Sequence, residues 1–298
     1  MKMSPTPSER STTLTEKKSE ATSSSTINKT KNKVEKKGMV QLIFKGETKL
    51  TSEPISLSKL NESNICLKSF FLSTENRNLL LAKSEKEILP FSKAKTSKLL
   101  KTWSMQSENF PIDPNLDITS DNTCDMVEVS TPTQLPGMVL KNISTIGCKL
   151  VLPQSIDVND DVDKSKSNAE MLDAQYEFTL IDTAMKPEGN APVVWLFNKL
   201  TGSNKKAENQ SEVEEPSSSS FTVVKIERSS SSTDEDEIVF TSDAKIKVRV
   251  EFPSILIRLL PLSLEDMEIQ GSQSMQKVVD KEVGPALERF RNKLSSLM

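Results

Sequence analysis

The chain has 298 residues, 39 basic and 42 acidic side chains, a formal net charge of -3 at pH 7 and no histidine. Near-balanced charge excludes a general nucleic-acid binder, which needs a concentrated positive face, and no basic stripe with interleaved aromatics is present. The missing imidazole excludes Ser-His-Asp and Cys-His catalysis, His-ligated metal and imidazole proton shuttling within this chain.

Cys66, Cys124 and Cys148 are odd in number, far apart and without CxxC spacing. Neither a disulfide framework nor a zinc site is indicated, and a reducing compartment fits best. No apolar run approaches the roughly 20 residues of a membrane-spanning helix, and no signal-peptide core follows the N-terminus. A soluble intracellular protein is expected. Residues 1-38 are rich in Ser, Thr and Lys, with too few large apolar side chains to offset ordering entropy. This tail reads as disordered. Its hydroxyl and basic content fits a transit peptide, whereas Glu9, Glu16, Glu20 and Glu35 go against an acid-poor presequence.

Residues 39-298 read as one α+β domain with polar insertions at 157-168, 203-220 and 227-237. Val40, Leu42 and Phe44 alternate in a first strand that Gly46 is expected to break. Apolar residues at helical spacing then predict helices over 56-60 and from Leu67 onward, with Ser73 and Thr74 placed to cap a second turn at Glu75. Residues 98-105 are expected to form a strand, and a Pro-bounded turn at 111-114 follows. Further strands are expected at 124-130, 138-143, 148-152 and 176-180, with Pro187 and Gly189 ending the last. Residues 193-200 fit either a buried strand or a short helix, because periodicity does not separate the two at this length.

Two more strands are expected at 221-226 and 237-240, and 245-252 has the clearest strand pattern. Ile246, Val248, Val250 and Phe252 fall on one face of it, and Lys245, Lys247, Arg249 and Glu251 on the other. A closing amphipathic helix is expected from about Ser272, with Met275, Val279, Val283, Ala286, Leu287, Phe290, Leu294 and Leu297 in one stripe. Pro285 removes an amide and crowds the preceding turn, so it predicts a bend, the alternative being two short helices.

Candidate chemistry is sparse. Ser231, Ser232 and Thr233 precede an acidic run and form a phosphorylation candidate, although such a segment is more often a solvated hairpin tip. Asp157, Asp160, Asp161 and Asp163 lack the EF-hand frame, so no metal site is expected. Asp113 and Asp117 could share acid-base work, but an Asp in a Pro-bounded turn commonly caps backbone amides. Trp103 and Trp195 are pocket-lining candidates against a plain-core reading.

The order strand, short helices, antiparallel strands, long C-terminal helix resembles the helix-grip fold of the START-like (SRPBCC) superfamily. More narrowly, the chain resembles an uncharacterised domain-of-unknown-function family of photosynthetic organisms. The segments that carry this are Phe70-Phe71-Leu72 to Ala82, Phe110 to Ile118, and Val248 through Pro253, Arg258 and Pro261 to Gly271 and the last helix. The resemblance implies a sheet wrapped on that helix around a cavity, and a plastid location with the cytoplasm as alternative. The expected function is non-catalytic binding of an apolar small molecule or lipid, with no cofactor. Expected lining residues are Trp103, Phe178, Ile246, Val248, Val250, Met275, Val279 and Phe290. The alternative is an assembly factor that recruits protein partners through the tail and the acidic Ser-rich loops.

Overall fold

In the computed structural model the described residues are 39-89, 91, 96-106, 112-116, 118, 123-135, 138-153, 168-195, 218-229, 237-254 and 263-298. They belong to one compact unit, Lys37–Met298. The expected tail, Ser231, Ser232, Thr233, Asp117 and the four aspartates at 157-163 lie outside the described residues. The strands are β1 (Met39–Thr51), β2 (Ile55–Ser56), β3 (Ile88–Leu89), β4 (Cys124–Leu135), β5 (Met138–Val151), β6 (Gln175–Gly189), β7 (Ser218–Arg228) and β8 (Glu237–Pro253). The helices that pack on the sheet include α1 (Leu57–Glu62), α2 (Leu67–Leu72), α3 (Thr74–Leu81), α4 (Thr96–Gln106) and α5 (Leu264–Ser295).

The fold is α+β. Among the described residues an open antiparallel sheet of 8 strands runs in the order β1-β8-β7-β6-β5-β4-β3, with β2 added beside β8. The long C-terminal helix α5 packs on one face, called inner here, as in a helix-grip-like arrangement. Alternation sorts the side chains between faces. Leu42, Phe44 and Leu50 of β1 share the inner face with Phe240, Ile246, Val248 and Val250 of β8, whereas Lys45, Lys49, Lys245 and Lys247 point outward. The expected two-faced pattern is therefore present over 245-250.

Several expected boundaries change, each for a tertiary reason. Residues 237-240 and 245-252 are one strand, as are 138-143 and 148-152, because the neighbouring strands together pair each without a break. The insertions expected at 203-220 and 227-237 are shorter, since Ser218–Arg228 and the residues from Glu237 pair with each other. Pro187 does not end its strand. It lies in the part of β6 that β7 does not reach, where a missing N–H breaks no ladder on that side. Residues 191-195 are helical, which resolves the described part of the ambiguous 193-200 run in favour of helix.

Gly46 does not break β1 either. A Cβ there would come within 3.3 Å of backbone atoms of Met275 and Gln276 and 3.2 Å of Val279 Cγ2, so the absent side chain lets α5 approach. The relation is reciprocal at Gly271, where the Phe44 ring occupies the place of a Cβ, its nearest carbon 2.3 Å away. Helix α5 accordingly starts well before Ser272. Ser263 caps it, accepting a hydrogen bond from the Asp266 N–H while the Asp266 side chain returns to the Ser263 N–H, a capping box. The helix continues through Pro285 as a single element.

α5 also covers the free edge of the sheet. The N–H groups of Ile43, Lys45 and Glu47 point away from β8 and donate to Glu268 Oε1 (3.0 Å), Ser272 Oγ (3.1 Å) and Gln276 Oε1 (3.0 Å). Gln276 Nε2 donates back to the Glu47 carbonyl at 2.7 Å. Acceptors four residues apart on a helix lie on one side of it, so one row of side chains occupies an edge that could otherwise pair with another strand.

The expected strand at 98-105 is the helix α4. Leu99, Leu100 and Trp103 fall on one side of it and bury against Cys124, Met126 and Ile181 on the outer face of the sheet. Trp103 is 1% exposed and lies on Gly147, where a Cβ would sit 2.4 Å from its ring. Strand β4 is thus buried on both faces, with Cys124 and Met126 in this outer core and Val127 and Val129 in the inner one. The expected turn forms at Asp113, whose side chain accepts from Asn115 N–H at 2.8 Å and whose carbonyl accepts from Leu116 N–H at 3.0 Å. Asp113 therefore does the capping work of an Asx turn.

Two predictions follow from the outer face. Gly147→Ala would ordinarily strengthen a strand, but here it overpacks against an enclosed indole and should cost about 1–3 kcal/mol in urea unfolding. The same change in a Trp103→Leu background should cost much less, and an additive cycle would mean that the two do not meet. Glu177, 4% exposed on the outer face, has its carboxyl pushed from 4.5 up to about 7 by burial, opposed by Gln175 and Lys149. Between those two values the folded chain holds more protons than the unfolded one, so stability falls as pH rises from 4.5 to 7. The stability gained by Glu177→Gln should therefore grow on the order of 2 kcal/mol between pH 5 and pH 8.

Candidate functional site

The inner core is built on aromatic side chains. Phe290 of α5 is fully buried, with ring centroids 4.9 Å from Phe70, 5.1 Å from Phe240, 5.8 Å from Phe71 and 6.1 Å from Tyr176. Phe71 stacks on Tyr176 at 5.3 Å, and the Tyr176 hydroxyl donates to the Phe71 carbonyl. Buried polar groups lock the short helices to this core. Asn168 donates to Asn61 Oδ1 (2.9 Å) and the Ile65 carbonyl (2.8 Å) and accepts from Leu67 N–H (2.8 Å). Arg77 reaches Asp125 at 2.9 Å and thereby ties α3 to β4.

Arg289 of α5 donates to the Leu79 carbonyl (3.1 Å) and the Ala82 carbonyl (3.3 Å), placing a cation at the C-terminal end of α3. Lys83 pairs with Glu282 at 2.8 Å and Lys293 with Glu75 at 3.3 Å. Both pairs are exposed and are worth little to stability, but they hold α3 and α5 side by side.

Between the Phe290 cluster and the Gly46 contact, the middle of α5 stands off the sheet. A cavity of about 300 Å³ opens there. Val283, Ala286 and Leu287 of α5 roof it, and Leu80 and Leu81 of α3 close one side. Its sheet wall combines Ile146, Phe178, Leu180, Val224 and Ile246 with the hydroxyls of Ser144, Ser220, Thr222 and Ser242. Glu282 reaches the rim, where Lys83 holds it.

Of the expected lining residues, Phe178 and Ile246 border this space. Trp103 lies on the opposite face in the outer core, because 98-105 is a helix rather than an inner strand. Val248 and Val250 lie on the inner face further along β8, opposite Phe44 and Leu42. Met275 and Val279 pack over Gly46, and Phe290 fills the aromatic core. Trp195 is 59% exposed and has no part in the cavity. The small and polar lining residues carry no strong motif. Their one signal is position: Ser242 follows Ile238 and Phe240 at period two, a hydroxyl where the strand pattern calls for a large apolar side chain.

A second hollow of about 1010 Å³ lies on the outer face, lined by Lys45, Lys49, Asp243, Lys245 and Lys247 among others. It is wider but is walled by opposed charges on a sheet surface, so the inner cavity is the better small-molecule site. Near the inner core, burial pushes the Cys148 thiol up to about 12, with Arg77 opposing, and raises Tyr176 by the same cause. A thiol held protonated is a poor nucleophile. Among the described residues no group of three or more Cys, Asp or Glu side chains could hold a metal ion, and no helix is long and apolar enough to cross a membrane.

No family model and no curated protein matches the chain. Among solved structures, it is similar to an uncharacterised protein from Rhizobium leguminosarum at 8% identity and a TM-score of 0.22, covering 86% of this chain and 99% of that one. A protein from Rhizobium loti overlaps at 9% identity and a TM-score of 0.17, covering 82% and 98%. Superpositions this poor carry no argument about either fold or function.

Proposed function

We infer that the chain is a non-catalytic binding domain of START-like, helix-grip type that holds a small apolar molecule between its sheet and its closing helix. The observation that carries this reading is the cavity of about 300 Å³ under Val283, Ala286 and Leu287. Small-molecule sites are clefts lined mostly by apolar side chains with a few polar groups, and this cleft has that lining. Small-molecule sites run from about 300 to 1,000 Å³, which sets the scale at one small molecule rather than a two-chain lipid. Kinship with the domain-of-unknown-function family, and the plastid location that goes with it, belong to the same proposal and rest on the resembling segments from Phe70 to Ala82, Phe110 to Ile118 and Val248 to the last helix.

Uptake of N-phenyl-1-naphthylamine by the full chain tests the reading. We expect saturable fluorescence enhancement with one probe per chain. In Ala286→Phe a ring would occupy the void, and uptake should fall at least tenfold with the unfolding temperature unchanged or raised. A chain that takes up no probe, or an Ala286→Phe variant that takes it up normally, would overturn the proposal.

A further inference from the structure

The outer face of the sheet is covered unevenly. Helix α4 lies over β4 and β6, and the outward side chains of β1, β8 and β7 beside it line the hollow of about 1010 Å³. Register places Lys45 of β1 directly opposite Lys247 of β8, and like charges so placed destabilise a sheet. The acids of the hollow are engaged elsewhere. Glu47 stands opposite Lys245, Asp243 lies 3.9 Å from Lys245, and Glu227 lies 3.3 Å from Lys225. Lys45, Lys49 and Lys247 form no ion pair among the described residues.

Between these charges the hollow is apolar. Phe221 and Val223 of β7 are half-buried, line the hollow and belong to neither core. An apolar strip beside free lysines complements a segment that carries both apolar side chains and carboxylates. Shape goes against a flat anionic membrane. A helix is about 10–12 Å across, so α4, whose Gln106 borders the hollow, rises above the lysines and would hold a bilayer off them. Composition goes against a nucleic acid strand, which binds on several stacking platforms, since Phe221 is the one aromatic side chain among the described lining residues. We propose that the outer face of β1, β8 and β7 is a docking surface for an acidic, amphipathic segment of a protein partner. Its apolar side chains settle on Phe221 and Val223 beside α4, and its carboxylates bridge Lys45 and Lys247. This surface is independent of the inner cavity, which lies on the other side of the sheet.

Fluorescence anisotropy of a fluorescein-labelled peptide of Glu and Leu in amphipathic helical order, titrated with the full chain, tests the proposal. We expect saturable binding that weakens as salt rises, and none to a peptide of Lys and Leu in the same order. Lys247→Glu turns a like-charge pair into an opposite one, so it should melt no lower than the parent yet bind the acidic peptide about fivefold more weakly. Phe221→Ser removes the apolar contact and should weaken binding by about the same factor. Absence of binding, binding that either variant leaves unchanged, or equally tight binding of phosphatidylserine vesicles or polyuridylate would overturn the proposal. A chain that sediments as a dimer and becomes a monomer in Lys247→Glu would assign the face to a second copy and overturn it too.

Discussion

Everything on the inner face depends on how α5 is seated. Two contacts hold it. At one, Gly46 removes a side chain from β1 so that the helix backbone comes close, and Gly271 removes one from the helix so that Phe44 fits beneath. At the other, Phe290 enters a cluster of aromatic rings drawn from α2, β6 and β8. The helix between them, at Val283 and Ala286, faces a sheet wall in which Ser144, Ser220, Thr222 and Ser242 stand among the large apolar side chains. The cavity is thus a consequence of two tight anchors and a stretch of small residues between them. Removal of bulk at a chosen place leaves space that the stiff helix does not collapse to fill.

The same helix also manages the edge of the sheet. Glu268, Ser272 and Gln276 accept from three successive outward N–H groups of β1. An open edge would otherwise offer a template for another chain. At the far edge, β3 is only 2 residues long, which limits pairing by length alone. One row of polar residues on α5 therefore serves sheet protection, while a neighbouring apolar row roofs the core. The polar face of the first turns of the helix, which looks least like a binding surface in sequence, is bonded to the β1 backbone.

The two faces of the sheet differ in chemistry. Outside, α4 covers part of the surface with Trp103, and charged side chains of β1, β7 and β8 occupy the rest. Inside, the ionisable groups of the core are tied down: Arg77 on Asp125, Tyr176 on the Phe71 carbonyl, Cys148 held protonated. Two polar atoms on this side, Arg77 Nε and Ser242 Oγ, are buried without a partner among the described residues.

Alternation and helical periodicity made the β6 and β8 strands, the α5 stripe and the α+β class legible from sequence, because each of these patterns follows from a single element burying one side. Sequence also showed that histidine chemistry is absent, and it marked Phe178 and Ile246 as inward-facing. It misread 98-105, because Leu99, Leu100 and Trp103 in so short a run fit either period, and only the outer face of the sheet, with Gly147 beneath the indole, decides for helix. It split β5 and β8 at their polar stretches, since pairing to neighbours far along the chain, not local hydrophobicity, carries a strand through them. It took Gly46 for a terminator, when the demand for glycine comes from a helix more than 220 residues away. The cavity was the least visible feature of all. A void is made by side chains that are small relative to the distance between two elements, and that distance exists only once the sheet and α5 have met.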